Sequence, residues 1–239
     1  MSYRLLTQIA VLLIIAILCI TRPMLFETFL SAQPTADFTQ GTHGIDVSHD
    51  QGQVDWQKVA QSGIKFVYLK ATDGITYTDP KYFQNLEGVK ATNLAVGAYH
   101  FFEPEDDPQA QLDNFLNHIE GKSLSLTPMI DVELQRSQSA AQIKARLQQF
   151  LTALEQRTGC KPLIYSYGSF WQANIGVEFN DYPFWFAEYN QTMQPPAKLK
   201  NIQIWQYSQK GSVPGVDTPV DLDKVLNEQQ GLEALKCNY

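Results

Sequence analysis

Two acids one residue apart, Asp131 and Glu133, are the side chains in this sequence whose type and spacing best suit chemistry. The apolar pair Met129 and Ile130 leads into them and Val132 separates them, which is the pattern of a short buried strand that ends in two carboxylates. Side chains alternate across a strand, so both acids share one face while Val132 takes the other. At a rise of about 3.3 Å per residue their Cα atoms stand about 6.5–7 Å apart. Acids at the end of an apolar strand are costly unless they are paired, solvated or used. The use that fits is proton transfer with electrostatic support. One carboxyl of raised pKa protonates a leaving oxygen, and the other stays ionised beside a developing cation. A D-x-E triplet also occurs by chance, so its meaning depends on what positions it.

The positioning elements alternate in type. An apolar run at 44–47 contains Asp46, and Asp55 is a suitable N-cap for a helix that Gly63 stops. A second strand at 66–69 ends at Lys70 and a turn at Asp73-Gly74, and Tyr82, Phe83, Leu86 and Val89 then recur at helical spacing. Residues 94–102 make a third strand, followed by a helix opened by Asp107-Pro108 and ended by Gly121. The acid-bearing stretch, 126–132, is the fourth strand. Ser139 caps a long helix with Ile143, Leu147, Phe150, Leu151 and Leu154 on one face, which Gly159 ends, and 162–168 is the fifth strand. Three further strands, at 184–190, 201–208 and 219–226, are separated by loops and one short helical piece at Phe170-Trp171. Strands alternating with helices indicate parallel β-α units. The expected fold is α/β: an irregular, single-domain, TIM-like barrel of about eight strands, the last ones poor in helices.

In such a barrel the carboxyl ends of the strands form the working face. Those ends carry Asp46, Lys70, His100, the Asp131 and Glu133 pair, Tyr165 with Tyr167, Glu188 with Tyr189, Trp205 with Tyr207, and Asp221 with Asp223. Several acids and a run of aromatics therefore converge on one mouth. Paired carboxylates with aromatic walls suit glycoside hydrolysis, where flat rings stack on sugars. Each residue also has a plainer use: strand-end acids can be solvated or cap a turn, and strand aromatics are core by default. His100 reads as a hydrogen-bonded core or rim histidine, and Lys70 as the cation that neutralises a barrel acid.

Composition narrows the partners. Hydrophobic content of 44% and charged content of 18% over 239 residues describe a globular chain with a real core. A net charge of −7 with no basic patch argues against nucleic acid. His43, His49 and His118 have no metal-ligand spacing, so neither metal nor cofactor is expected. Residues 1–30 stand apart. Arg4 precedes sixteen mostly apolar residues at 5–20, and a second apolar patch runs over 24–30. The first run matches the apolar region of a signal peptide, and continued past Pro23 it is long enough to cross a bilayer. Either reading exports the rest, anchored in the membrane or secreted, and the anchor is favoured because the small-residue pair Ser31-Ala32 lies far beyond the apolar run. Residues 31–42 read as a linker and 43–239 as the catalytic domain, expected to be a monomer. Cys19 falls in the apolar run, which leaves Cys160 and Cys237 either bridged or as two ordinary thiols.

The motifs GIDVSHDQG (44–52), FVYLKATDG (66–74), GAYHFF (97–102), MIDVE (129–133), FWFAEYN (184–190), IWQYS (204–208) and VDLD (220–223) resemble, in order, those of the family 25 glycoside hydrolases. These are the Chalaropsis-type lysozymes. The resemblance spans 43 to about 228 and implies an irregular β/α barrel that cleaves the β-1,4 bond between N-acetylmuramic acid and N-acetylglucosamine in peptidoglycan. It implies Glu133 as general acid and Asp131 as a carboxylate that stabilises the cation or assists through the substrate acetamido group. Asp46 and Asp221 match the other two acids of the mouth, with Asp217 close enough to Asp221 for the match to slip. Tyr99, Tyr165, Tyr189 and Trp205 are the expected sugar contacts. The alternatives are a wall-binding module that keeps the groove without catalysis, and a chitin-type hydrolase, whose longer acidic motif has acids where Pro128, Met129 and Ile130 stand here.

Overall fold

The computed structural model describes residues 37–239. The expected membrane segment and half of the expected linker lie outside the described residues, among which no helix is long and apolar enough to cross a membrane. The apolar runs become the strands β1 (His43–Val47), β2 (Phe66–Asp73), β3 (Tyr77–Thr78), β4 (Ala95–Phe101), β5 (Met129–Asp131), β6 (Leu163–Tyr167), β7 (Phe184–Ala187), β8 (Ile202–Gly211) and β9 (Val220–Val225). Eight of them close into a barrel in the order β1, β2, β4, β5, β6, β7, β8, β9 and back to β1. Every neighbouring pair from β1 round to β8 is parallel, whereas β9 runs antiparallel to both β8 and β1. The two-residue β3 hangs on β2 as a hairpin outside the ring.

Four helices cover the first part of the ring: α1 (Trp56–Gln61), α2 (Tyr82–Lys90), α3 (Pro108–Ile119) and α4 (Ala140–Thr158). Their starts follow from local chemistry. The carboxylates of Asp55 and Asp107 accept from the Lys58 and Ala110 amides, and Ser139 with Gln142 forms a capping box. At the far end of α4, Gly159 adopts the left-handed turn (φ 70°) that ends the helix. Beyond β6 only short helical turns remain among the described residues, at Gly168–Phe170, Trp171–Ile175, Val177–Phe179 and Gly231–Leu235, so the last strands lack full helices as the sequence implies.

Strand alternation divides the buried residues into two layers. Ile130, Val132, Ile164 and Phe186 point outward into the layer beneath the helices, with Phe150 and Leu147 of α4. Phe66, Tyr68, Met129, Leu163, Trp185, Ile204 and Val225 point inward and fill the barrel. Two inward glycines make room for rings. A Cβ on Gly44 would fall 2.3 Å from the Phe66 ring, and one on Gly97 would fall 2.4 Å from the Tyr68 ring.

Two elements depart from expectation. The fourth strand is shorter than 126–132 because Leu126 leaves the ring and pairs instead with Lys236 near the C-terminus. The last strand is antiparallel because only an eight-residue loop joins it to β8, too short for a parallel crossover. Cys160, just before β6, is bridged to Cys237 with Cα atoms 5.9 Å apart, which resolves the choice the sequence leaves open. The bridge holds the C-terminal segment where Leu235 packs into the barrel interior. A loop of 77 residues closed in this way stabilises the native state by about 4.5 kcal/mol in the chain-entropy picture. Reduction, or Cys160→Ser, is expected to lower the midpoint of thermal unfolding by roughly 5 °C or more, read by circular dichroism with and without reductant.

Candidate active site

Asp46 is the second-last residue of β1 and sits opposite Asp221 of β9. Because β9 is antiparallel, its beginning lies at the end of the barrel where the parallel strands finish, and that is how an acid at the start of a strand joins acids at the ends of others. Asp131 is the last residue of β5, level with Tyr165 of β6, and Glu133 follows two residues later. Ile130 and Val132 face the helices, so the two-residue period turns Asp131 and Glu133 inward, although the strand itself has stopped. The four acids bear on one another: Glu133 raises Asp131 and Asp221, and Asp221 raises Asp46.

Gln206 is the hub of this mouth. Its amide oxygen accepts from the hydroxyls of Tyr165 (2.8 Å) and Tyr189 (2.7 Å), and its amide nitrogen donates to Asp46 Oδ2 (2.8 Å). Below it, the indole of Trp185 donates to Asp223 Oδ1 at 3.1 Å. Tyr165 is buried and Tyr189 is exposed, so one hydrogen-bond system runs from the interior to the groove wall. Sequence reasoning did not single out Gln206. Its signal was a polar side chain two residues after the inward-facing Ile204.

Burial dominates the electrostatics. It pushes the carboxyls of Asp46 and Asp131 well above the usual range, with Asp221 adding to the first and Glu133 to the second. Glu133 is half-buried and is raised by desolvation, against which the Lys70 ammonium acts. Asp221 is pushed up to about 6, by burial first and by Glu133 second. Asp131 Oδ1 is buried and has no hydrogen-bond partner among the described residues. Tyr99 stands near enough to Asp46, Asp131 and Asp221 for all three to raise its hydroxyl, after burial.

The remaining expected residues fall as follows. Lys70 pairs with Asp73 at 3.1 Å and lies 4.8 Å above the Phe101 ring, while its charge also favours the ionised forms of Asp131 and Glu133. His100 is fully buried on the helix side, bonded to Thr72 and Gln111 and stacked on Phe150, and burial pushes it down to about 3. It is a neutral core histidine, as expected. Asp217 is exposed, so Asp221 is the acid of the mouth. Trp205 is not brought to the acids. It packs against the helix-side layer and donates to the Glu188 carbonyl at 2.8 Å, because its neighbours Ile204 and Gln206 take the inward positions. Past the ends of β6 and β7 a cavity of about 490 Å3 is lined by Tyr167, Phe186, Glu188 and Pro196.

Residues 45–216 match the family model described as glycosyl hydrolases family 25. The chain belongs to that family. It is 37% identical to the autolytic lysozyme of Clostridium acetobutylicum over 181 residues, 76% of this chain and 55% of that protein. It is 32% identical to lysozyme M1 of Streptomyces globisporus over 215 residues, 84% of this chain and 73% of that protein. In three dimensions it resembles the crystal structure of a bacterial lysozyme from Streptomyces coelicolor, with a TM-score of 0.75 at 31% identity, covering 82% of this chain and 97% of that one. This family 25 chain is accordingly a glycosyl hydrolase. The matched segment contains Asp46, Asp131 and Glu133 and stops short of Asp221, whose place in the mouth rests on the pairing of β9 with β1.

The raised carboxyl of Asp221 has a consequence for stability. A folded pKa of about 6, above the unfolded value of about 3.9, means that stability is full below about pH 4 and declines as pH rises through about 6. Asp221→Asn removes that titration. Its melting temperature is expected to match the parent protein at pH 4 and to exceed it at pH 8, with the difference developing between about pH 4 and pH 6 in a pH series of thermal melts.

Proposed function

We propose that the protein is a muramidase that hydrolyses the β-1,4 bond between N-acetylmuramic acid and N-acetylglucosamine, with Glu133 as general acid and Asp131 as its partner carboxylate. The observation that carries this reading is the contrast within the pair. Glu133 is half-buried at the mouth, where a glycosidic oxygen can reach it, and desolvation keeps its proton. Asp131 lies deeper, with one oxygen that no group among the described residues satisfies. That oxygen suits either the anomeric centre as positive charge develops or the N–H of the substrate acetamido group. Two acids this close titrate as a pair, and Lys70 favours a state in which they share one proton and one negative charge. Burial raises Asp131 the more, so the shared proton passes to Glu133 as the substrate engages the pair. Glu133 delivers the proton to the leaving oxygen, the charge left on Asp131 supports the cationic centre, and water completes hydrolysis.

Asp46 and Asp221 act beside this pair, orienting sugar hydroxyls and raising its pKa by like charge. Tyr165, Tyr189 and Tyr99 form the groove wall, with Tyr189 the most open to solvent. The similarity to lysozymes of Clostridium and Streptomyces supports peptidoglycan as the substrate. The apolar segment 5–20 fits export, so the barrel works outside the cytoplasmic membrane, tethered if that segment is retained and free if it is cleaved.

Glu133→Gln replaces the acid by a neutral group of the same shape. Release of muropeptides from purified sacculi is expected to fall on the order of 10²–10⁴-fold. The melting temperature should not drop, because the carboxyl it replaces is already disfavoured as an anion. Mass spectrometry of the parent enzyme's products should find muramic acid at the reducing end. Retained activity in the variant, glucosamine at the reducing end, or chitin cleaved in preference to peptidoglycan would each refute the assignment.

A further inference from the structure

Asp223 sits below the mouth on β9, two residues beyond Asp221, with no solvent exposure. One of its carboxyl oxygens accepts from Trp185. The other, Oδ2, is buried and meets no N–H or O–H donor among the described residues. Asp46 stands diagonal to Asp223 on the same inward face of neighbouring β1, and the two carboxyls act on each other. Two carboxyl groups can bond to each other only if one carries a proton. The neighbours decide which. Burial raises both carboxyls, but Asp46 is partly open to the groove and takes the Gln206 N–H on Oδ2 whereas Asp223 is fully buried, so of the two Asp46 is the better place for charge. Asp223 is sealed between Trp185 and Gly44, the residue it faces across β1. The titratable groups that face Asp223 are Asp46 from β1, Asp221 from its own strand and Tyr207 from β8, and none of them is a cation.

We infer that Asp223 is a positioning residue: a neutral carboxylic acid that donates to Asp46 and holds it as the ionised acceptor from which Gln206, Tyr165 and Tyr189 take their orientation. The direction of the chain follows. With Asp46 an acceptor, the Gln206 nitrogen must point at it, and the Gln206 oxygen is then turned toward the two tyrosine hydroxyls. Loss of the Asp223 proton sets two buried anions side by side. If Asp46 instead takes a proton on Oδ2, the Gln206 amide must reverse and both tyrosines lose their acceptor. Asp223 touches no substrate in this account. It acts through Asp46 on the wall of the groove.

Two substitutions separate the donor from the charge. Asp223→Asn keeps shape and supplies a permanent N–H donor, and Asp223→Leu keeps the bulk without a donor. A carboxyl that stays protonated in the fold confers stability fully present below about pH 4, its unfolded pKa, and lost as pH rises. Asp223→Asn has no such loss, so its melting temperature relative to the parent protein is expected to rise by about 5 °C or more between pH 4 and pH 8. A difference that does not change with pH would overturn the inference. The activity comparison rests on the muramidase reading. Asp223→Asn is expected to keep at least roughly a third of the parent kcat on purified sacculi, and folded Asp223→Leu to lose on the order of 10²-fold, as misplacement of groups near a reacting centre does. Equal activity of the two variants would overturn the inference. A parent protein inert on sacculi would refute the muramidase reading instead, and the melting series would still decide the state of Asp223.

Discussion

Closure of the barrel by an antiparallel strand is the constraint on which the site depends. A ninth strand entering parallel to the rest would carry its first residues to the opposite end of the barrel. Running antiparallel, β9 pairs Asp221 with Asp46 and Asp223 with Gly44, and on its other edge sets Asp223 beside Gln206 of β8. The seam therefore joins the two edges of an otherwise parallel sheet and also assembles half of the acids. A slip of one residue in this register would turn Asp221 and Asp223 out of the barrel and bring Leu222 in. The hydrophobic period of β9 opposes such a slip, since Val220 and Leu222 belong to the helix-side layer.

Collecting carboxyls in a low-dielectric mouth is unfavourable, and the lower half of the barrel offsets that cost. Phe66, Tyr68, Met129, Leu163, Trp185 and Ile204 fill the interior beneath the acids. Full burial of side chains of this size stabilises by about 1.5–3 kcal/mol each. Inward glycines at 44 and 97 let the Phe66 and Tyr68 rings cross where any other residue would collide. The aromatic floor thus serves two ends: it drives folding, and it excludes the water that would otherwise return the acids to their ordinary pKa values.

Much of this was legible in the sequence because it is periodic. The caps at Asp55, Asp107 and Ser139, the stop at Gly159 and the outward face of α4 all follow local rules. So does the inward turn of Asp131 and Glu133, since a two-residue period persists beyond the last ladder bond. What local rules cannot express is pairing between distant segments. The direction of β9, the partner of Leu126 and the Cys160–Cys237 bridge are set by which segments meet after the ring has closed. Trp205 illustrates the same limit, because an aromatic near a strand end faces the groove or the helices according to its register. Gln206 escaped notice for the opposite reason: a single amide carries little signal until its three partners are seen together.

The arrangement separates two demands that a sugar-cleaving mouth places on its acids. In the proposed mechanism Glu133 and Asp131 exchange protons and charge with the substrate, and they lie where Lys70 can influence them. Asp46 must stay fixed while this happens, and a carboxylate held only by solvent would drift with each change of charge on its neighbours. Gln206 above and Asp223 below restrain it, one with a neutral amide donor and the other with a proton that burial makes hard to lose. Neutral donors suit this task better than a cation would. A lysine or arginine at either place would lower every carboxyl around it, Glu133 included, and so weaken its hold on the proton the proposed mechanism uses. The ammonium that does bear on the pair, Lys70, is drawn aside by Asp73, which tempers its pull on Glu133.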